Sequence, residues 1–555
     1  MKKTVRILCC LLTVALLAAM TACGGPKQNP VQDTNAPSKD NSAPAAPAGD
    51  SKLRGTTPTT PETLDPARGT GENDRILYVN LYECLVVPNE KDGSPEPLLA
   101  ESWDASSDGL VYTFKLRKDV KFSDGTPMTA EDVKYSFDRM MTMGEGYAYI
   151  LVDLLKETKV IDDYTVEFHL NKTFGPFVTS LTCFRILNSK VMKENTQSSG
   201  MYGENGDYGT GYLLTNSAGS GPYVISSFVV HDTIIMAKNE NYWGEIPASA
   251  PDVVEMEELT ESSTTRMLMS SGELDFVHGH QDTTTIAALT ANDNLKAVLL
   301  SDAGLNYFMI NTKKAPTDDV HIRKALSYAC DYEQMRQILG GASEADGPIP
   351  KGVYGYQSTF EAYAYNMDKA REEIAQSAYA GNLASYPIQM DYIEGNGDTG
   401  KLVYLLAASL ESLGFSVTIN ETPWVQFCNN EADIETSPHV TNLFCTANYP
   451  EAGALLEYKY ASWTTGNWNQ NEWLQDDAYD QMLQTALATV DDEERIALYG
   501  EMQRYLVEDV CPSIYTCASV VMPVYNEDAF EWRGSTGDIH AALEYNYYFA
   551  GFRMK

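Results

Sequence analysis

Apolar and polar positions alternate along this chain with a period that keeps changing, and each change marks a predicted element. Tyr112, Phe114 and Leu116 stand between Thr113, Lys115 and Arg117, the period-two pattern of a half-buried strand, and Asp108-Gly109 ahead of them is a turn signal. A second strand is expected through Val120 and Phe122, after which Ser123-Asp124-Gly125 turns the chain. Thr129 then stands as a helix N-cap with Asp132 three positions on, ahead of Val133, Phe137 and Met141 at helical spacing. The stretch reads hairpin, turn, helix, and none of its side chains is arranged for catalysis.

Turn-rich, strand-like segments dominate from Thr56 to about Val230, with a further helix expected around Ser189–Glu194. Strands are predicted at Tyr223–Phe228 and Thr233–Ala237, with a turn at Lys238–Tyr242. A strand at Val253–Leu259, a helix at Ser262–Ser271 and a strand at Leu274–Val277 follow. That βαβ rhythm predicts an α/β lobe. Tyr307–Ile310 reads as a strand crossing between lobes. Asp319 caps a helix expected to run through Leu339, with Val320, Ala325, Leu326, Ala329, Ile338 and Leu339 on its apolar side. Strand Ile388–Tyr392, helix Lys401–Leu413 and strand Ser416–Ile419 make a second α/β lobe. Asp491 and Glu494 open a helix to Glu508, and Pro512–Val524 returns to an extended pattern. No repeat of fixed period is present.

The N-terminus departs from these patterns. Lys2, Lys3 and Arg6 precede an apolar run from Ile7 to Met20, shorter than the ~18–20 residues a bilayer span needs, so residues 1–22 read as a secretion signal. Thr21 and Ala22 before Cys23 resemble a bacterial lipoprotein cleavage site, with Met20 in place of the usual Leu. Cleavage there would leave Cys23 first in the mature chain, free to carry lipid; an ordinary signal peptide with an incidental cysteine is the alternative. Residues 23–52 are rich in Gly, Pro, Ala, Ser, Asn and Asp, cannot bury enough surface to offset their ordering entropy, and are expected to be a disordered tether.

The remaining ~500 residues exceed what one hydrophobic core supports, so at least two lobes are expected, with a ligand cleft between them. The formal net charge of −37 leaves no basic stripe for nucleic acid and repels anionic membrane surfaces, so lipid would have to do the anchoring. Seven of the ten cysteines follow Cys23: Cys84, Cys183, Cys330, Cys428, Cys445, Cys511 and Cys517. Their odd number and irregular spacing do not make a disulfide framework, and most read as buried small apolar residues, with a Cys511–Cys517 or Cys428–Cys445 bridge left open.

The block SWDASSDGLVYTFKLRKDVKFSDGTPMTAEDVKYSFDR at 102–139 resembles the signature of the family 5 extracellular solute-binding proteins of ABC transporters, the oligopeptide, dipeptide and nickel receptors. GSGPYVISSF at 219–228, KNENYWGE at 238–245, SGELDF at 271–276, HIRKALSYACDYEQM at 321–335 and GNWNQNEWLQDDAYDQML at 466–483 continue the resemblance in order, from about Thr57 to the C-terminus. It implies an α/β, bilobed periplasmic-binding-protein-like fold (type II, cluster C) with an extra β-rich subdomain at about 75–215. The first lobe would span 53–305, the second 306–505, and residues 506–555 would return to the first.

The resemblance also points to the cleft. CTANYPEAGALL at 445–456 looks like the segment that lines it in peptide-binding members and carries an Asp for the ligand's α-amino group; here Asn448 stands at that place, flanked by Cys445, Thr446 and Ala447. An amide accepts a hydrogen bond from an ammonium but offers no charge. LDPARGTGEND at 64–74 resembles the segment facing the cleft from the other lobe, with Arg68 and Thr70 as candidates and Arg68 suited to a carboxylate. Trp424, Trp463, Trp468 and Trp473, four of the seven tryptophans, fall close together; aromatic faces around a ligand explain this, and so does core packing. Among them Trp424, Trp463 and Trp468 are taken as ligand-binding candidates. His278 and His280 in VHGHQD fall short of a metal site without a further His or Cys and read as ordinary edge-strand or loop histidines.

These features predict a lipid-anchored receptor on the extracytoplasmic side that captures a small solute, with oligopeptide first and oligosaccharide or metal as alternatives, and hands it to the transmembrane subunits of a permease. A monomer without cofactor is expected. The competing class is an extracellular glycosidase, since abundant acids always supply a carboxylate pair, but no phosphate-cradling loop, HExxH helix or nucleophile elbow is present.

Overall fold

The computed structural model describes residues 51–536 and 542–555; the expected signal segment 1–22, Cys23 and the tether as far as residue 50 lie outside them. Three principal sheets organise the chain. In the first lobe Lys52–Thr57 pairs in parallel with Val253–Glu258, which pairs antiparallel with Thr233–Lys238 and, through it, with Tyr223–Val229. Leu53, Ile234, Met236 and Val254 from these strands share one buried core with Trp532, Tyr547 and Phe549 from the end of the chain.

The β-rich subdomain is an antiparallel sheet in the order Ala100–Ala105, Val111–Leu116, Thr165–Leu170, Leu155–Asp162. Tyr112, Phe114 and Leu116 are buried while Lys115 is exposed, as the alternation demands. Phe168 meets Phe114, Phe137 and Phe177 edge-on at centroid distances of 5.5, 4.7 and 5.6 Å, contacts worth about 0.5–1.5 kcal/mol each beyond area burial. The Ala130–Met143 helix begins with the predicted capping box, the Thr129 N–H donating to Asp132 at 2.8 Å, and ends at Gly144 in the left-handed region at φ 66°.

Three sequence expectations are corrected. Val120–Phe122 forms a single bridge, Lys121 to Pro127, rather than a strand: proline has no N–H with which to extend a ladder, and Ala100–Ala105 pairs with Val111–Leu116 instead. The helix read through Leu339 breaks into Val320–Tyr328 and Tyr332–Ile338, because the Asp331 carboxylate accepts from the Gln334 N–H and starts a second helix. The helix read to Glu508 stays α-helical only from Asp492 to Arg504, and the chain then widens into a π-helical turn, Tyr505–Val510.

The second lobe carries a five-stranded sheet in the order Val417–Thr422, Ile388–Ile393, Val440–Thr446, Leu300–Ile310, Ser513–Val521. Tyr307 and Met309 enter the core on one face, Phe308 and Ile310 that on the other, so both faces are covered by helices. The predicted crossing strand is longer than its apolar run: Leu300 belongs to the first-lobe core and Leu305 to the second. Ser513–Val521 runs antiparallel beside it, and Val524–Asn526 joins Phe276–Val277 and Leu295–Ala297 in a first-lobe sheet. Where the pair passes between lobes the register slips between Ser301 and Leu305, and Ala303 sits at φ 59°, a conformation that favours glycine.

One buried ion pair positions the 64–70 loop. Arg139 from the subdomain helix holds Asp65 through two bonds of 2.8 and 2.5 Å, both side chains fully buried. Removing one partner of such a pair costs about 3–5 kcal/mol.

Candidate functional site

Between the subdomain and the second lobe lies a cavity of about 760 Å³, within the range of small-molecule sites. Tyr149 from the short helix Ala148–Leu151, Asp153 just beyond it, and Lys172 and Phe174 after strand Thr165–Leu170 line the subdomain side. Asn448 at the end of strand Val440–Thr446, Glu457 and Tyr458 on helix Ala452–Tyr460, and Trp463 after it line the other.

The two walls touch. The Gly175 N–H donates to the Leu487 carbonyl at 2.8 Å, the Cys183 thiol to the Asn448 carbonyl at 3.1 Å, and Phe174 meets Tyr449 edge-on at 6.5 Å. A Cβ at position 175 would lie 2.0 Å from the Thr489 carbonyl oxygen, so this approach needs glycine.

Glu457 is the half-buried acid of the cavity. Its Oε1 accepts from the Trp463 indole N–H at 3.3 Å; burial pushes its carboxyl up, partly offset by that bond and by the charge of Lys172. Burial likewise pushes the phenol of Tyr458 far up, while Tyr149 keeps 55 % of its surface open, as fits a ring on the accessible side of a cavity. The cavity therefore offers aromatic faces, one half-buried carboxyl, the neutral amides of Asn448 and Gln484, and two exposed rim charges, Asp153 and Lys172.

The sequence candidates fall into four groups. Asn448 and Trp463 line the cavity. Trp468 backs the wall, meeting Tyr458 edge-on at 6.0 Å and Trp424 at 5.3 Å, and Trp424 stacks on Phe427 beyond them. Cys445 is buried in the second-lobe core opposite Leu305, Thr446 pairs with Gly304, and Ala447 packs against the cores of both subdomain and second lobe. Arg68 and Thr70 are not among the lining residues: Arg68 donates to Glu145 at 2.8 Å within its own lobe, and the Thr70 carbonyl accepts from Arg75 at 2.7 Å.

Tyr149, Asp153, Lys172, Glu457 and Tyr458 escaped the sequence reading. A signal existed for Glu457, which with the core residue Lys459 is a charge inside the otherwise apolar run AGALLEYKY. Among the described residues no group of three His, Cys, Asp or Glu could hold a metal ion. His278 engages Gln281 and the His280 N–H, while His280 pairs with Glu72 at 2.6 Å. All seven described cysteines are free thiols.

The family model for bacterial extracellular solute-binding proteins, family 5 Middle, matches residues 94–467. The probable D,D-dipeptide-binding periplasmic protein of Escherichia coli K12 is 28% identical over 460 residues, covering 81% of this chain and 85% of that protein. The periplasmic oligopeptide-binding protein of the same organism is 27% identical, covering 84% and 85%. Among solved structures, the ABC transporter-associated periplasmic binding protein DppA from Helicobacter pylori, in complex with the peptide STSA, superposes with a TM-score of 0.70 at 22% identity, covering 91% of this chain and 98% of that one.

Proposed function

This chain belongs to the bacterial extracellular solute-binding proteins of family 5, and on that footing we propose that it captures an oligopeptide for an ABC importer and delivers it to the transmembrane subunits of the permease. The observation that supports this best is the cavity of about 760 Å³ walled by two bodies, with a pair of adjacent strands, Leu300–Ile310 and Ser513–Val521, passing between the lobes. A ligand that touches both walls favours the shut arrangement over the open one by its differential contacts, and the slipped register around Ala303 is where the connecting strands can flex.

Among the described residues no helix is long and apolar enough to cross a membrane. In this reading the attachment comes instead from lipid on Cys23, with the Gly- and Pro-rich segment behind it as a tether and the receptor acting as a monomer.

The test is isothermal calorimetry of the folded protein against oligopeptides, oligosaccharides and metal ions. A peptide is expected to bind at micromolar affinity or tighter with the other classes silent. Tight binding of a sugar or metal in place of peptides would reassign the cargo, and silence across all three classes would end the receptor reading.

A further inference from the structure

We propose that the cavity is built for an organic cation, an ammonium or guanidinium group that the ligand presents to Glu457; the inference rests on the receptor reading above and narrows its substrate class. Glu457 and Tyr458 face the cavity from helix Ala452–Tyr460, and Trp463 orients the carboxylate through its indole N–H. Among the described residues no lysine, arginine or histidine forms an ion pair with Glu457. A half-buried carboxylate without an ion-pair partner gains from a cation that arrives with the ligand, and a ligand without one leaves it unpaired.

The surroundings suit the same partner. Tyr149, Tyr458 and Trp463 bring π faces to the cavity, and a cation held against such faces is attracted by the ring quadrupole, by about 0.5–1 kcal/mol where the rings stay open to water as Tyr149 and Trp463 do. Asn448 and Gln484 add neutral amide oxygens that can accept from N–H donors. Asp153 adds a second acid at the rim. Lys172 is the basic lining residue, but it stands on the opposite wall, exposed, where water screens its charge and its stem can swing outward. The less exposed charge is thus the negative one.

This assigns the electrostatic role to the helix that follows Asn448 rather than to that position itself. The test is calorimetric titration of the full chain with matched peptides of one length, bearing lysine, norleucine or glutamate at one position, each with a free or acetylated N-terminus. Peptides carrying a cation are expected to bind about tenfold or more tightly than neutral ones. Glu457→Gln, whose amide oxygen still accepts from Trp463, is expected to abolish that difference, and Trp463→Leu to weaken the cationic peptides by roughly threefold to tenfold. Thermal melts of both variants separate lost recognition from lost folding. If the preference follows acetylation, the cation is the peptide's own terminus; if it follows lysine against norleucine, it is the side chain; either result sustains the inference. Equal binding of cationic, neutral and acidic peptides, or a preference that survives Glu457→Gln, overturns it and leaves the receptor reading standing. No binding by any peptide overturns the inference, and the receptor reading falls with it only if oligosaccharides and metal ions are silent as well.

Discussion

Glu457 and Lys459 sit two residues apart on one short helix, on sides that meet opposite fates. Lys459 is fully buried in the second lobe, 3.1 Å from the equally buried Glu472, with its ammonium donating to the Asn469 carbonyl at 2.7 Å and lying 4.9 Å from the centroid of the Tyr307 ring. Glu472 also accepts from Ser513 at 2.6 Å. Glu457 faces the cavity with one long hydrogen bond from Trp463. The contrast teaches how to separate structural charge from functional charge: a buried ion whose protein partners satisfy it holds the fold, and one left short of partners can take a ligand.

The largest expected effect sharpens the satisfied side. Lys459→Met strands Glu472 in the core and should destabilise the protein by about 3–5 kcal/mol in denaturant titrations. A loss below about 1 kcal/mol would show that this network does not carry the lobe.

Glu83 tests an intermediate case. It is buried, accepts from Ser220, Trp243 and Tyr242, and burial nevertheless pushes its carboxyl up to about 7. Because the folded state holds this proton more tightly than the unfolded one, the group's contribution to stability is fully present below about 4.5 and is lost as pH rises toward 7. Glu83→Gln should therefore flatten the pH dependence of unfolding across that window, by on the order of 3 kcal/mol. Parallel curves for variant and parent would refute the assignment.

A gentler perturbation gives the cavity wall a second carboxylate. Asn448→Asp should tighten the binding of peptides with free amino termini by about threefold to tenfold, measured by calorimetry. No change would place the terminus away from Asn448. The smallest effect is expected on the stability of Glu457→Gln: a shift within about 1 kcal/mol, toward greater stability at neutral pH, because burial disfavours the charged carboxylate in the folded state. A large loss of stability there would mean that Glu457 is structural, and the contrast with Lys459 would fail.

How much of this could be read beforehand depended on distance along the chain. The Thr129–Asp132 capping box and the burial of Tyr112, Phe114 and Leu116 came through because each signal is complete within a few residues. The break at Asp331 was missed although its cause is equally local, since an aspartate in an apolar periodic run reads as a helix surface until its carboxylate is seen on the Gln334 N–H. Arg68 looked like a ligand contact because its partner Glu145 lies too far along the chain to be inferred. Trp463 and Asn448 were legible as candidates, whereas Lys172 and Tyr149 on the facing wall had no motif to mark them.

The amino-acid sequence by itself determined the kinds of element, many of their ends, the α/β class and the family, since periodicity, capping and turn chemistry act over a handful of residues. Tertiary structure alone decided which charges are satisfied and which face the cavity. Glu457 and Lys459 are both simply charges in an apolar run; only the packing of Glu472 and strand Leu300–Ile310 on one side of their helix, and of the distant subdomain on the other, gives one an ion-pair partner and the other a space to fill.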